Sequence, residues 1–329
     1  MKADTNVTST KVSALWQTLP HRIRDVASAT PMDSAPLGAC IVTGLGTSEW
    51  PARVLEWSMR AQGAACEFVP LSRFVTDAPP GNTLVLFSQY LSNNAALCLR
   101  EKDRYRQIVL VSALDDVQCR ERLSALDVDL PAFTLLTVAT PPERNILFRP
   151  IGPALMATTG VSRLLQACGL SPLPLEAIAQ CYEADRMVNA IDDVPCVVLS
   201  VGRDAGIASA LAWKANEALG LPVPSWDAIG FAHGGFQAIF DGPKTEVLLL
   251  LPHVPSASVI EDGIRAMLAP RAHALRVFRA DGVPAPFAYD APFTRYLLAR
   301  IARNARDLEA WPGKGCDAAM YNLTTVDAK

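Results

Sequence analysis

The chain has 329 residues, half of them hydrophobic and 19% charged, with a formal net charge of −3 at pH 7. This composition is typical of a globular protein with sizeable apolar cores and excludes a disordered chain. Because 33 acidic residues balance 30 basic ones, we expect no nucleic-acid partner. Apolar runs such as "EVLLLLPHVP" are far shorter than the ~20 residues that cross a bilayer, and residues 1–15 are polar. We therefore expect a cytoplasmic protein with no membrane partner.

The first half of the chain alternates short apolar runs with amphipathic segments. A helix is expected at "PHRIRDV", followed by a turn-rich linker near residue 36. "GACIVTGLG" and "NTLVLFSQ" predict strands that lead into the helices "SEWPARVLEWSMRAQG" and "SNNAALCLREK", and "YRQIVLVSAL" and "AFTLLTV" predict two further strands. Apolar strands that alternate with helices indicate parallel βα units.

The second half repeats this plan. "VPCVVLSVGR" predicts a strand that leads into the helix "AGIASALAWKANEALG", and "KTEVLLLLPHV", "SASVIEDGIRAMLA" and "HALRVFRAD" predict a strand, a helix and a strand. Each half is thus predicted to be an α/β domain, a three-layer α/β/α sandwich around a parallel sheet. The expected organisation is an N-terminal helical arm (1–35), a first domain (36–173), a linker helix (174–192), a second domain (193–312) and an irregular tail (313–329).

Three turns between a strand and a helix are candidates for a binding site: 44–48, 88–94 and 201–206. In doubly wound sheets, ligands bind beyond the carboxyl ends of the strands, and small polar residues at a helix N-terminus can hold an anion there. "GLGTSE" is not a dinucleotide fingerprint, because Glu49 replaces its third glycine, and it lacks the GK[ST] ending of a P-loop. The chain also lacks the G-x-S-x-G motif of a nucleophilic serine.

The cysteines and histidines are too dispersed to predict a metal site. There is no C-x-x-C pair and no Cys/His cluster, and only four histidines are present. In a reducing compartment such cysteines are expected to be small buried side chains. We therefore predict neither a metal nor a cofactor. The eight cysteines are Cys40, Cys66, Cys98, Cys119, Cys168, Cys181, Cys196 and Cys316.

Taken together, these segments resemble the sugar isomerase (SIS) domain family. "GLGTSEWPARVLEWSMRAQGAACEFVPLSRF" is similar to the opening of such a domain, and "SQYLSNN" stands where the family has Ser-Gln-Ser-Gly-Glu-Thr. The Lys-x-x-Glu of "KANE" and a His-Gly pair sixteen residues after its glutamate are similar to the isomerase half of glucosamine–fructose-6-phosphate aminotransferase. The resemblance runs from about residue 16 to the tail and implies two tandem SIS domains, a homodimer and a sugar or sugar-phosphate ligand.

The resemblance also implies roles for particular residues. Glu217 would move a proton between C1 and C2 of an open-chain sugar, with Lys214 beside it, and His233 would assist ring opening from the partner subunit. This division is chemically sensible, since aldose–ketose conversion needs an acid/base near C1 and C2 and another at the ring oxygen. Taken singly, Glu217 is expected to be a solvated residue and His233 a structural histidine. The residues implied to hold the substrate or its phosphate are Thr47, Ser48, Ser88, Gln89, Ser92, Asn93, Glu143, Ile146 and Arg149.

The chain departs from the family pattern in the 88–94 loop and in the tail. Tyr90 and Leu91 replace a small residue and a glycine, and Asn93 replaces a threonine. A leucine is expected to resist the positive φ that lets backbone N–H groups converge on phosphate, so we expect weak phosphate binding unless Ser92 and Asn93 restore the cradle. In the tail, Ala319 and Thr325 stand where the family has a proline and a lysine.

Two classes of function remain open at this level. The first is an enzyme that isomerises, deaminates or deglycates a sugar, phosphosugar or amino sugar at C1/C2, including an amination with a nitrogen donor other than glutamine. The second is a binding module that senses a sugar phosphate and regulates a partner. The short stretch ahead of the first strand favours a chain without a glutaminase domain or a helix-turn-helix arm.

Overall fold

The computed structural model describes residues 5–27, 37–130, 132–141, 143, 146–184, 193–304, 306–309, 315–316 and 318–324. The chain divides into two compact units. The β1–β5 unit comprises Arg22–Leu173 and Ala310–Lys329, and the β6–β9 unit comprises Met1–His21 and Pro174–Glu309. The linker predicted near residue 36 and the end of the predicted linker helix, 185–192, lie outside the described residues. The domain boundaries therefore stay predictions.

The sheet of the β1–β5 unit has five parallel strands in the order β2-β1-β3-β4-β5. The central strands β1 and β3 are buried at every residue, as continuous apolar runs with helices on both faces should be. The strands are β1 (Cys40–Gly44), β2 (Cys66–Phe68), β3 (Thr83–Phe87), β4 (Gln107–Ser112) and β5 (Thr134–Thr137).

Helices pack on both faces of this sheet. On one face, Leu84 and Leu110 belong to a buried cluster that includes Leu99 of α4. On the other face, Gly160 lies so close to Val111 that a Cβ atom would be 3.1 Å from its side chain. The helices of this unit are α2 (Glu49–Ala61), α3 (Arg73–Thr76), α4 (Ala95–Leu99), α5 (Asp116–Ala125), α6 (Ile151–Leu155) and α7 (Val161–Ala167). The first helix, α1 (Thr5–Ala27), belongs to the β6–β9 unit as far as His21 and to this unit from Arg22. A π-helical turn, Met156–Gly160, joins α6 and α7 into one helix over 151–167.

The sheet of the β6–β9 unit has four parallel strands in the order β7-β6-β8-β9. They are β6 (Cys196–Ser200), β7 (Ser225–Asp227), β8 (Glu246–Leu251) and β9 (Ala274–Arg279). The helices are α8 (Leu175–Glu183), α9 (Ala205–Leu219), α10 (Ala228–Gly230), α11 (Phe236–Phe240), α12 (Ala257–Leu268) and α13 (Ala285–Arg303). A second π-helical turn, Phe231–Gly235, joins α10 to α11. The short helix α14 (Ala318–Tyr321) belongs to the other unit.

The predicted fold class is confirmed, since two parallel sheets alternate with helices along the chain. Helix α13 was not among the predicted elements, because Pro286 and Pro292 interrupt its sequence pattern. Pro286 lies in the first turn of α13, where proline is tolerated because an N–H there would have no helical partner. Pro292 lies inside the helix. The tail was predicted to be irregular but contains α14. Within the described helices, none is long and apolar enough to span a bilayer.

Gly44 at the end of β1 generates a prediction about stability. A Cβ atom at position 44 would lie 2.2 Å from the backbone carbonyl oxygen of Ser48, so the turn into α2 must shift. We expect Gly44→Ala to lower the free energy of unfolding by about 2 kcal/mol or more, as measured by urea denaturation. Gly263→Ala in α12 is the matched control, since nothing lies within 4 Å of its Cβ position, and it should stabilise by roughly 0.5–1 kcal/mol. Equal effects of the two substitutions would contradict this account.

Candidate functional site

The carboxyl ends of β1 and β3 lie side by side in the β1–β5 unit. Gly44 is the register partner of Phe87, and β2 and β3 flank β1 on opposite sides. The connection after β1 runs to β2 on one side, and the connection after β3 runs to β4 on the other side. The gap between β1 and β3 is therefore the topological switch point where open α/β sheets bind ligands. The turns that follow β1 and β3 contain most of the residues predicted to hold an anion.

The turn after β1 is a single 3-10 turn, Gly46–Ser48, that runs into α2. Gly46 has a φ of 59°, a conformation that glycine adopts without strain. The Ser48 backbone N–H donates to the carbonyl of Leu45 at 3.1 Å. Ser48 is buried and Thr47 is half-buried at the start of α2. The N-terminus of the helix and two hydroxyl side chains thus lie together, and this combination of hydrogen-bond donors can bind an anion.

The loop after β3 is held closed by its own backbone and side chains. Ser88 accepts a hydrogen bond at its Oγ from the Ser92 backbone N–H, 3.2 Å away. The backbone carbonyl of Gln89 accepts from the Ser112 hydroxyl at 3.1 Å and from the Ala113 N–H at 3.0 Å. Ser88 and Ser92 therefore lie on one tight turn next to the end of β4.

Leu91 occupies the left-handed conformation, with a φ of 46°. The expectation that a leucine at this position resists positive φ is therefore wrong. A non-glycine residue in this region costs of order 1–2 kcal/mol, whereas burying a leucine side chain contributes about 1.5–3 kcal/mol. Leu91 is fully buried in the apolar cluster beneath the loop, and its carbonyl accepts from Arg122 Nε at 2.8 Å. Burial offsets the backbone strain, so the loop has a left-handed residue where the family pattern has glycine.

The side-chain amide of Gln89 lies at the base of this loop. Its Nε2 atom is 3.3 Å from the Tyr90 hydroxyl and 3.2 Å from the Thr140 hydroxyl. Its Oε1 atom is buried and has no hydrogen-bond partner within the described part of the chain. Because both neighbours are hydroxyls that can donate as well as accept, either orientation of the amide can hydrogen-bond to them.

Glu143 is buried and caps the helix over 151–167. Its carboxylate accepts from the backbone N–H groups of Ile151 at 3.0 Å and Gly152 at 2.7 Å, where the helix dipole favours negative charge. A Cβ atom at position 152 would lie 2.4 Å from Gln89 Nε2 and 2.9 Å from a Glu143 oxygen. Gly152 therefore lets the helix approach both polar side chains closely.

Arg149 joins this cluster from the segment ahead of the helix. Its Nε donates to the carbonyl of Ile146 at 3.2 Å, and its Cζ is 5.9 Å from the centre of the Tyr90 ring. Ile146 itself is buried. The structure thus brings Gln89, Glu143, Ile146 and Arg149 into one neighbourhood, and their roles in holding a substrate stay predictions. The sequence did not point to Thr140 or Gly152, whose contacts arise only from the fold.

The side chain of Asn93 is hydrogen-bonded to other segments of the β1–β5 unit. Its Nδ2 donates to Asn322 Oδ1 at 2.5 Å, and its Oδ1 accepts from Arg122 at 2.5 Å. The next residue, Asn94, donates to the carbonyls of Met320 at 2.9 Å and Leu323 at 3.0 Å. The segment around α14 is thereby bound to the loop after β3. A role for Asn93 in holding an anion stays a prediction.

Lys214 lies in the interior of the β6–β9 unit. Its side chain on α9 is only 5% exposed, and its Nζ contacts Asp290 Oδ1 at 2.5 Å and the Thr294 hydroxyl at 2.7 Å. The other oxygen of Asp290 accepts from the Tyr182 hydroxyl at 2.6 Å. Burial, followed by the charge of Asp290, raises the pKa of Tyr182 well above its ordinary value, so this hydroxyl remains a donor. Lys214 thus links α9 to α13 through Asp290.

Glu217 and His233 lie on different elements of the same unit. Glu217 is half-buried on α9, and His233 is exposed on the π-helical turn between α10 and α11. The short strand β7 contacts both of these elements. The catalytic roles of both residues stay predictions.

A cavity of about 570 Å³ in the β6–β9 unit contains none of the predicted residues. It is lined by parts of α8, β9 and α13. The three arginines in its wall are anchored by the protein. Arg276 contacts Glu246 at 2.8 Å, Arg279 pairs with Glu261, and Arg295 donates to the carbonyls of Ala184 at 2.8 Å and Cys181 at 2.9 Å. Among the described residues, no cluster of three or more His, Cys, Asp or Glu side chains could hold a metal ion.

No protein-family model and no curated protein matches this sequence. Its fold, in contrast, matches several solved structures. Glucosamine-6-phosphate deaminase from Thermotoga maritima is 13% identical, with a TM-score of 0.66 over 93% of this chain and 96% of that one. Tagatose-6-phosphate ketose/aldose isomerase from Escherichia coli is 16% identical, with a TM-score of 0.61 over 93% and 92%.

The C-terminal domain of glucosamine-fructose-6-phosphate aminotransferase from Francisella tularensis is 11% identical, with a TM-score of 0.58 over 89% of this chain and 95% of that one. The present chain therefore has the fold of enzymes that act on sugar phosphates. At such low identity the likeness establishes the fold alone.

The buried pair of Lys214 and Asp290 generates a second prediction. Lys214→Met would leave the Asp290 carboxylate buried without its cation, and we expect a loss of roughly 3–5 kcal/mol in the free energy of unfolding. Lys244→Met, at an exposed position, should change it by less than about 0.5 kcal/mol. Urea denaturation at neutral pH measures both variants. A loss below about 1 kcal/mol for Lys214→Met would show that the ion pair contributes little to the stability of the packing of α9.

Proposed function

We propose that this chain binds a sugar phosphate, with the phosphate at the turns after β1 and β3, and acts on C1 and C2 of the sugar by proton transfer. Similarity of the fold to sugar-phosphate isomerases and deaminases supports the class of substrate. The observation that carries the proposal is the geometry of the 88–92 loop. In this loop Leu91 is left-handed, the Gln89 amide is buried and the Ser92 N–H donates to Ser88 Oγ, and the loop follows β3 where that strand pairs with the end of β1.

The groups at the ends of β1 and β3 are hydrogen-bond donors, which can bind an oxyanion. The N-terminus of α2, the hydroxyls of Ser48, Thr47 and Ser92, and the amide of Gln89 are neutral donors at the end of β1 and β3. Arg149, over the Tyr90 ring, would add a positive charge near the anionic end of the ligand. Neutral donors at a helix N-terminus typically hold phosphate without requiring a lysine.

Glu217 is proposed as the base that transfers the proton. Its carboxylate would take the proton from C2 of the open-chain aldose and return it to C1, with an enediol between the two steps. An amino group at C2 would leave by the same proton transfer followed by hydrolysis, so isomerisation and deamination require one common base. His233 is proposed to move the proton of the ring oxygen, from the partner subunit of a homodimer. Lys214 would hold α9, and hence Glu217, in position through Asp290.

The second candidate is a sugar-phosphate-binding module that regulates a partner. This candidate is favoured because side chains that the resemblance implies would contact the substrate are hydrogen-bonded within the protein instead. Asn93 contacts Asn322 and Arg122, and Glu143 caps the helix over 151–167. Such a module would keep its ligand affinity while lacking turnover, so measurements of binding and of proton exchange separate the two candidates.

The third prediction concerns Glu217. We expect Glu217→Gln to lower deuterium wash-in at C2 of hexose 6-phosphates and glucosamine 6-phosphate by 10²–10⁴-fold, the usual contribution of a general base. The affinity for the same ligands should remain within about tenfold, because an amide has nearly the same shape as a carboxylate. Glu67→Gln, at an exposed position of β2, is the control and should exchange like the parent chain. Undiminished exchange in the Glu217 variant would remove this residue from the mechanism.

The fourth prediction concerns the phosphate. By calorimetry, a hexose 6-phosphate should bind more than ~100-fold tighter than the free hexose, a difference of about 2.7 kcal/mol. Gln89→Leu removes the amide donor and should reduce that preference by about tenfold. Gln166→Leu, on the exposed face of α7, should leave it unchanged. Equal affinities for the sugar and its phosphate in the parent chain would point to an unphosphorylated substrate.

A further inference from the structure

Helix α5 packs against the loop that follows β3. Cys119 and Leu123 of α5 are buried in the same apolar cluster as Leu91 of the loop. The helix begins with a capping box, in which the side chains and backbone N–H groups of Asp115 and Gln118 are hydrogen-bonded reciprocally. Its capped start and its buried face together hold α5 at a defined place beside the loop.

One side chain of α5, Arg122, contacts the loop by two hydrogen bonds. Its Nε donates to the Leu91 carbonyl at 2.8 Å, and its Nη2 donates to Asn93 Oδ1 at 2.5 Å. The guanidinium group is planar and rigid, so its donors have a fixed geometry. Arg122 therefore holds the loop on both sides of Ser92.

The positive charge of Arg122 has no acidic partner among the described residues, where no carboxylate oxygen lies within 4.0 Å of its guanidinium nitrogens. Arg120, two residues earlier on the same helix, pairs instead with Asp116 at 2.9 Å. Arg122 is half-buried, and both of its acceptors are neutral oxygens. A cation that no carboxylate neutralises makes the electrostatic potential at the adjacent loop more positive and so favours an anion there.

A chain of hydrogen bonds leads from Arg122 to the hydroxyl of Ser88. The carbonyl that accepts from Arg122 belongs to the peptide group between Leu91 and Ser92, and the N–H of the same peptide group donates to Ser88 Oγ at 3.2 Å. Hydrogen bonds in such a chain polarise one another. Within the described part of the protein, Ser88 accepts this bond and its own hydrogen has no acceptor. The Ser88 hydroxyl is therefore a donor that the charge of Arg122 strengthens.

We propose that Arg122 is a positioning residue of the phosphate site, which holds the 88–94 loop in its left-handed conformation and supplies positive charge behind it without contacting the ligand. This inference rests on the proposed function, because the anion concerned is the phosphate of the proposed substrate. A phosphate monoester carries a charge of about −1.5 to −2 at neutral pH, whereas the hydroxyl and amide donors of the two turns are neutral. Arg122 balances part of that charge from the protein side of the loop, in addition to Arg149.

The first measurement needs no ligand and compares Arg122→Met with the parent chain. Methionine removes the charge and the donors but keeps an unbranched apolar side chain. Hydrogen exchange of the full chain, followed by mass spectrometry, reports on the peptide that contains the 88–94 loop. We expect exchange there to be about tenfold faster or more in Arg122→Met, because the loop opens locally more often. Arg120→Met is the matched control on the same helix and should exchange like the parent chain.

The second measurement is calorimetry with a hexose 6-phosphate and with the free hexose. Arg122→Met should lower the affinity for the phosphate by roughly tenfold or more and leave that for the free hexose within about twofold. Arg122→Lys keeps the charge but lacks the planar fork. It should restore part of the affinity for the phosphate, while its loop still exchanges faster than that of the parent chain. Arg120→Met should bind both ligands like the parent chain.

Unchanged exchange of the 88–94 loop in Arg122→Met would overturn the proposal, whether or not the parent chain prefers the phosphate. An equal loss of affinity for both ligands would also overturn it, since a side chain that only stabilises the fold does not act on the phosphate alone. Equal affinities of the parent chain for the sugar and its phosphate would refute the proposed phosphate site and the role of the charge. The exchange measurement would then still decide whether Arg122 holds the loop. If Arg122→Met fails to fold, Arg122→Lys provides the same comparison of loop exchange.

Discussion

The pairing of β1 with β3 is the constraint on which the candidate site depends. Their register, from Cys40 with Thr83 to Gly44 with Phe87, ends both strands at the same level. Two short turns of distant sequence are thereby placed side by side at the switch point of the sheet. Both strands are buried at every position. Any ligand contact proposed for Ser48 or Gln89 presupposes this one pairing.

The β6–β9 unit contains a related turn with the opposite electrostatics. Gly202, with a φ of 64°, opens a 3-10 turn after β6, as Gly46 does after β1. Where the first turn ends in Ser48, the second ends in the buried carboxylate of Asp204, which accepts from the Tyr289 hydroxyl at 2.8 Å. A buried carboxylate repels an anion, whereas a serine hydroxyl can donate to it. Of the two turns, the one after β1 is the better suited to phosphate.

Several polar residues singled out by family resemblance serve the fold directly. Lys214 joins α9 to α13, and Glu143 caps the helix over 151–167. Such contacts hold a helix in place, and other residues of the same helix can then contact a ligand. A buried ion pair can therefore affect a binding site without touching the ligand. The resemblance conveyed the architecture, whereas the location of the site and the task of each side chain stay predictions. This is expected where solved structures share the fold at 11–16% identity.

The sequence by itself determined seven of the nine described strands, the long helices α2, α9 and α12, and the parallel α/β class, because apolar runs and helical periodicity are local properties of the chain. It missed the three-residue strands β2 and β7, which are too short to show a pattern. It also pointed to the turns after β1 and β3, since glycine and small polar residues at strand ends have a local conformational cause. Only the tertiary structure decided that Leu91 is left-handed, because burial outweighs its backbone preference. The contacts of Gln89 with Thr140 and of Lys214 with Asp290 likewise depend on packing between segments that are far apart in the chain, where no local pattern of residues can indicate which side chains meet.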